Sequence, residues 1–385
     1  MRSRGAAGFP RPGQLAVDPN VWRLGFTSFF TDISSEMVSS ILPLYFVLHL
    51  RFSPLEFGVL DGIYQGAAVA LLSLASGICA DRWRRQKEVA TAGYAFSAVS
   101  KLALLAAGSV WTMVAGALVL DRVGKGVRTA PRDAMISLSS QDGNLATAFA
   151  VHRGLDAGGA VFGPLAAYIL LRLVPGAFDL VLMASFCIAL IGLGLISLLV
   201  RKPPVAAAAA GSAIPSLALS LGLWKQARFR AITIAGGILG LATASDGFIY
   251  LLLQKNTASS ASSFPLFAFL TAVFYVLLSI PAGRLADRWG RGKVFLTGYG
   301  LLVVIYATLL MPGVGNGAQF AALALFGGYY AATDGVLAAM ASAVLAPNLR
   351  TSGLALLNTV TSLARLVSSI LFGWLWSSSA MKTPV

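Results

Sequence analysis

Long apolar stretches, broken at short intervals by polar or basic segments, fill the chain from residue 22 to residue 376. A helix needs about 20 such residues to cross a hydrocarbon core of about 30 Å. The pattern predicts six spans in a first half, at 22–49, 55–80, 89–108, 110–134, 146–173 and 178–200, and five in a second, at 229–254, 264–284, 293–312, 318–345 and 351–376. The organisation that follows is an N-terminal tail (1–21), a first helical bundle (22–200), a linker (201–228), a second bundle (229–376) and a short tail (377–385). The linker contains PPVAAAAAGSAIPS, low in complexity and rich in helix breakers. Within it, Leu217 to Lys225 is expected to lie on the membrane surface as a short amphipathic helix.

Composition agrees with an all-α polytopic membrane protein. Hydrophobic residues make up 57% of the chain and charged ones only 11%, with a mean hydropathy of +0.77, which excludes an ordinary soluble enzyme. Arg2, Arg4 and Arg11 precede no apolar run that ends in a cleavage site, so a cleaved signal peptide is not expected. The net charge of +14 suggests nucleic acid at first sight, but the basic residues cluster in every second loop. That distribution is the positive-inside signal: it places the N-terminus in the cytoplasm and the protein in the plasma membrane, the inner membrane of a bacterial cell. Nucleic acid is therefore not an expected partner; the lipid bilayer is. Cys79 and Cys187 sit in apolar segments without paired spacing and read as buried small hydrophobes.

One polar interruption occurs twice. Gly77 to Lys87 reads GICADRWRRQK and Gly283 to Lys293 reads GRLADRWGRGK, with Asp81 and Asp287 in register more than half the chain apart. Such duplication is a recurring feature of secondary-transporter folds. The second copy resembles the signature loop of the major facilitator superfamily, Gly-x-Leu-Ala-Asp-Arg-x-Gly-Arg, at Gly283, Leu285, Ala286, Asp287, Arg288, Gly290 and Arg291. The first copy keeps Gly77, Ala80, Asp81, Arg82 and Arg85 but has Arg84 where the glycine belongs. The resemblance implies two pseudo-symmetric helical bundles, with the first, fourth, seventh and tenth spans around a central cavity. Family members usually have twelve spans; the pattern here predicts six plus five, since residues 377–385 are too few to cross, and the expectation is either a truncated chain or one that ends naturally on the outer side.

Charge inside lipid is costly, so ionisable residues within spans are the candidate site. Asp32 and Glu36 lie one turn apart in FFTDISSEMVSS, on one serine-rich face of the first span. The fourth span, LDRVGKGVRTAPRDAM, carries Asp121, Arg122 and Lys125, with Arg128 and Arg132 reading as ordinary positive-inside charges near its end. It resembles the family motif Arg-x-x-Gln-Gly-x-Gly, with Arg122 and Gly126 in place and Lys125 at the glutamine; in proton-coupled antiporters of the family that arginine is held to assist proton exchange. In the fifth span His152, Arg153 and Asp156 share a face. Gly158, Gly159, Gly163 and Pro164 follow, similar to the family's antiporter motif, although Ala167 and Tyr168 replace its last two glycines. Asp246 and Asp334, each followed by glycine, sit within the seventh and tenth spans, and Asp61, Asn358 and Arg365 are weaker candidates.

These features predict a secondary transporter of a small organic solute, working by alternating access as a monomer and most similar to the proton-coupled efflux antiporters. Protonation of Asp32 or Glu36 would alter their pairing with Arg122 or Lys125. Proton-coupled uptake of a charged metabolite and a non-transporting membrane receptor or scaffold are the alternatives. No His-rich cluster, Gly-x-Ser-x-Gly or phosphate loop occurs, so neither enzyme chemistry nor a metal or cofactor is expected.

Overall fold

The computed structural model of the protein describes residues 17–65, 72, 85–140, 145–202, 223–257, 260–311, 315–345 and 350–378. The first half contains α1 (Pro19–Leu44), α2 (Pro54–Gln65), α3 (Gln86–Ala107), α4 (Trp111–Leu138), α5 (Leu145–Leu173) and α6 (Phe178–Gly194). The second contains α7 (Ala227–Leu241), α8 (Asp246–Thr257), α9 (Pro265–Trp289), α10 (Arg291–Leu309), α11 (Asn316–Val344) and α12 (Arg350–Ser378). Both α1 and α6 end in a π-helical turn, Tyr45–His49 and Leu195–Leu199.

Local chemistry sets the helix ends. Asp18 caps α1 by accepting from the Asn20 amide at 2.7 Å, and Pro19 occupies the first turn, where its missing N–H is no loss. At α2, Ser53 and Glu56 form a capping box: the Glu56 carboxylate accepts from the Ser53 amide at 2.8 Å, and the Ser53 hydroxyl accepts from the Glu56 amide at 3.3 Å. Helix α9 stops at Gly290, whose φ of +98° is open to glycine and not to a side chain.

Among the described residues, eight helices are long and apolar enough to cross a membrane. Helices α1 and α4 have 26 and 28 residues and so are also long enough, but they are more polar, because they carry the charges of the interior. The seventh span is not one helix. It breaks at residues 242–245 between α7 and α8, where the continuous apolar run predicted a single span at 229–254. The break is held from outside: the Tyr306 hydroxyl accepts from the Ala244 amide at 2.7 Å and donates to the Ala242 carbonyl at 3.2 Å, while the Ser368 hydroxyl donates to the Thr243 carbonyl at 2.7 Å. Backbone groups freed inside a bundle must find such partners.

Within the halves α1 packs on α5 and α6, α3 on α4, and α9 and α10 on α11; across the halves α2 meets α12 and α5 meets α9. Basic residues gather at one end of the bundle, the near side, including Arg85, Lys87, Arg201, Lys202, Arg228, Arg230, Arg288 and Lys293. Cys187, expected to be buried, is exposed on the outer surface of α6. Cys79, the loop residues Gly77, Asp81 and Arg82, and residues 1–16, 203–222 and 379–385 lie outside the described residues.

Candidate functional site

Where the halves meet, α1, α2, α4, α5, α8, α9 and α11 enclose a cavity of about 350 Å³. A second chamber of about 420 Å³ lies toward the near side, walled by α4, α7, α10, α11 and α12. Arg122 and Asp334 line both, so the two form one hollow with these residues at its waist. Lys125, Asp334 and Asn358 are exposed although each sits within a long helix, because they open onto the near chamber.

The far end is shut by aromatic rings. Phe57 of α2 meets Phe248 of α8 edge-on with centroids 4.8 Å apart, Phe248 lies 5.7 Å from Trp376, and Phe46 lies 6.4 Å from Phe57. A side chain at Gly247 would strike the Phe57 ring at 2.6 Å and Pro43 at 3.0 Å, so glycine lets α8 close against α1 and α2.

The charged residues divide by position. Glu36 faces the far chamber and accepts from the Ser39 hydroxyl at 2.6 Å. Asp246 opens α8, where the positive end of the helix dipole favours a carboxylate, and accepts from the Tyr330 hydroxyl. Asp334 accepts from Tyr275 at 3.3 Å. Asp61 also lines this chamber and accepts from Ser369 at 2.7 Å.

Arg122 reaches the hollow with its guanidinium 3.7 Å from the centre of the Tyr64 ring, and its back is held by Asp121. Asp121 itself turns away from both chambers into the α3–α4 contact. There it accepts from Lys101 at 2.9 Å and from the Ser100 hydroxyl at 3.2 Å. Lys101, only 3% exposed, is a buried charge that reading the sequence missed. The signal was present, since a lysine in the middle of an apolar span needs a buried partner.

Asp32 does not pair with Arg122 or Lys125. Its carboxylate lies 3.9 Å from Arg128, which is buried, donates to Ser97 at 2.5 Å and is therefore no ordinary surface charge. Arg132 also turns inward, to Asp133 at 3.0 Å and to the Ser28 hydroxyl at 3.3 Å. His152 is buried beside them: its Nε2 is 2.9 Å from the Ser28 hydroxyl, which is 3.2 Å from the Tyr94 hydroxyl, and 3.8 Å from Asp156. These groups form a polar cluster inside the first half, and Asp32, His152, Arg153 and Asp156 line neither chamber. Arg153 is exposed.

The glycines of α5 explain how α1 presents its acids. A Cβ at Gly159 would sit 2.9 Å from that of Asp32 and 2.6 Å from the Phe29 carbonyl; one at Gly163 would sit 2.6 Å from that of Glu36 and 2.7 Å from the Ile33 carbonyl. Small residues here let the two backbones touch, and Pro164 lines the far chamber one residue on. In the second signature loop Asp287 and Arg288 are exposed, and Arg291 pairs with Asp287 at 3.5 Å and donates to the Ala339 carbonyl of α11 at 3.1 Å.

Comparison with known proteins bears on this arrangement. The sequence profile described as Major Facilitator Superfamily matches residues 24–369. The chain is 29% identical over 379 residues to an uncharacterised MFS-type transporter of Methanocaldococcus jannaschii, covering 95% of this chain and 91% of that one. An uncharacterised protein of Mycobacterium tuberculosis is 29% identical over 326 residues, 80% of this chain and 76% of that one. Among solved structures, a bacterial homologue of the human lysosomal transporter Spinster, inward-facing and unoccupied, superposes with a TM-score of 0.69 at 15% identity over 93% of this chain and 82% of its own. The peptide transporter POT in complex with alafosfalin gives 0.67 at 14% identity over 96% and 90%. At these identities the structural likeness establishes the fold.

Proposed function

Because the chain belongs to the major facilitator superfamily and is a membrane transporter of that fold, we propose that it is a monomeric secondary transporter that expels a small organic solute in exchange for protons. One observation carries this reading: Glu36, Arg122, Asp246 and Asp334 project from α1, α4, α8 and α11 into a single hollow whose far end is closed by aromatic rings. Charge held inside lipid around an accessible cavity is the arrangement that binding followed by rocking of the two halves requires.

In this mechanism the near side is cytoplasmic, following the basic loops, in the plasma membrane or bacterial inner membrane. Solute binds from the near chamber while the far plug is shut. Glu36 faces Arg122 across the far chamber; a proton on Glu36 removes the charge that resists desolvation when the hollow occludes. Asp32, held by Arg128, carries the second exchangeable proton into the cluster of His152 and Asp156. The contact of Arg291 with Asp287 and Ala339 fastens the α9–α10 turn to α11 and lets that half turn as a unit. Proton-coupled uptake is the second reading, favoured by the presence of both charge signs in the hollow.

The test is flux in proteoliposomes loaded with a small-solute library under an imposed pH gradient. The expected result is solute movement driven by the gradient and lost in the Asp32→Asn, Glu36→Gln double variant. Flux that ignores the gradient, or that persists in the double variant, would overturn the coupling assignment, and flux with the gradient's direction reversed would replace efflux by uptake.

A further inference from the structure

The hollow is polarised along its axis. Among the described residues, its far chamber presents the carboxylates of Glu36, Asp246 and Asp334 against one cation, Arg122. That arginine is held from behind by Asp121, a carboxylate it shares with Lys101. Among the described residues the near chamber reverses the sign, with Arg122, Lys125 and Arg365 against Asp334. Hydroxyl donors hold the far carboxylates: Ser39 on Glu36, Tyr330 on Asp246 and Tyr275 on Asp334. A neutral donor satisfies a lone pair without bringing a counter-charge; Arg365 shares a small cleft with Asp246 and Tyr330 but forms no ion pair with that carboxylate. Among the described residues, no Lys, Arg or His lies within 4.0 Å of the carboxylates of Glu36, Asp246 or Asp334, and no carboxylate lies within that distance of Lys125 or Arg365.

From this axial separation, and resting on the reading of the hollow as the solute path, we infer that the substrate is a zwitterion: an amine joined to a carboxylate or phosphate, bound with the amine leading into the far chamber. Each end then meets charge of the opposite sign. The aromatic walls at Tyr64, Tyr250, Tyr275 and Tyr330 suit an ammonium group, which is drawn to ring faces as well as to carboxylates. Lys125 and Arg365, with the Asn358 and Thr361 side chains beside them, suit the anion. Lys125 lies three residues beyond Arg122 toward the near side, about 4.5 Å of helix rise, so the anion site sits at the entrance and the amine site behind it. A ligand with a single charge leaves one set of groups facing it uncompensated, and that penalty is the source of selectivity.

The experiment measures thermal stabilisation of the purified full-length protein in detergent at one pH, with no gradient, by straight-chain ω-amino acids of four, six and eight carbons. Each is compared with its methyl ester, which keeps only the amine, its N-acetyl derivative, which keeps only the acid, and the aminoalkyl phosphate of the same length. At one length or more the zwitterion is expected to reach half-maximal stabilisation at a concentration about tenfold below either capped form. The carboxylate and phosphate arms then identify the anion. Lys125→Gln should erase the advantage over the ester, and Asp334→Asn the advantage over the N-acetyl compound; both residues are exposed, so both variants should fold. An ester that equals the zwitterion would make the substrate an organic cation, an N-acetyl compound that equals it an organic anion, and either result overturns the proposal, as does stabilisation by none of the zwitterions. Because no gradient is applied, charge selectivity can fail while proton-driven flux survives, and the reverse.

Discussion

The buried triad of Lys101, Asp121 and Arg122 allows a quantitative prediction, because two cations share one carboxylate there. Lys101 and Asp121 have side chains 3% and 9% exposed, and Arg122 is 10% exposed. Asp121→Asn leaves two buried cations close together without the acid that held them. Removing one partner of a buried pair costs about 3–5 kcal/mol, or roughly two to four powers of ten in the unfolding equilibrium at about 1.4 kcal/mol per decade. Lys101→Met acts differently. It keeps length and apolar bulk, leaves the Asp121–Arg122 pair intact, keeps the Ser100 hydrogen bond, and removes one desolvated charge. Its expected cost is within about 1 kcal/mol. Combined with Asp121→Asn, the methionine should recover about 2 kcal/mol, because only one orphaned cation then remains. Equilibrium unfolding in mixed detergent micelles, followed by tryptophan fluorescence, measures all four proteins. Equal losses from the two single variants, or strict additivity in the double, would refute the sharing of one carboxylate by two cations.

Three further perturbations probe other joints of the fold. Gly163→Ala places a methyl 2.6 Å from the Glu36 Cβ and 2.7 Å from the Ile33 carbonyl, so α1 and α5 must separate; a loss of about 1–3 kcal/mol is expected in the same unfolding assay, with wild-type stability as the contrary result. Tyr306→Phe strips the Ala244 amide of its acceptor and the Ala242 carbonyl of its donor; about 1–3 kcal/mol of destabilisation, with faster amide exchange at the α7–α8 break, is the outcome to look for. Gly290→Ala forces a side chain into φ +98°, at a cost of about 1–3 kcal/mol visible as a lower melting temperature. A variant as stable as the parent would mean that the α9–α10 turn adopts another backbone conformation.

The broken seventh span shows how far local pattern reaches. Apolar residues run through 229–254 with little to mark an end, and the run contains neither proline nor a charged cluster at residues 242–245. Thr243 and Ser245 were the sole local hint. What stops the helix is remote in sequence: Tyr306 from α10 and Ser368 from α12 supply the hydrogen bonds that a continuous helix would have made for itself. The same holds for the partner of Asp32. From one helix, Arg122 and Lys125 looked like its counter-ions; the rotation of α4 against α1 gives it Arg128 instead.

By itself the sequence determined the membrane, the helices, the doubled signature loop and the list of charged residues, since each follows from transfer cost and short-range periodicity along one helix. The tertiary structure alone decided which of those charges meet the hollow and which turn into a buried cluster. Glu36, Arg122, Asp246 and Asp334 share a cavity, while Asp121, His152 and Asp156 do not. The physical reason is that helix rotation and approach are fixed by contacts between distant segments, such as Gly163 against Ile33, and a rotation of one residue position, about 100°, exchanges an inward face for a packed one.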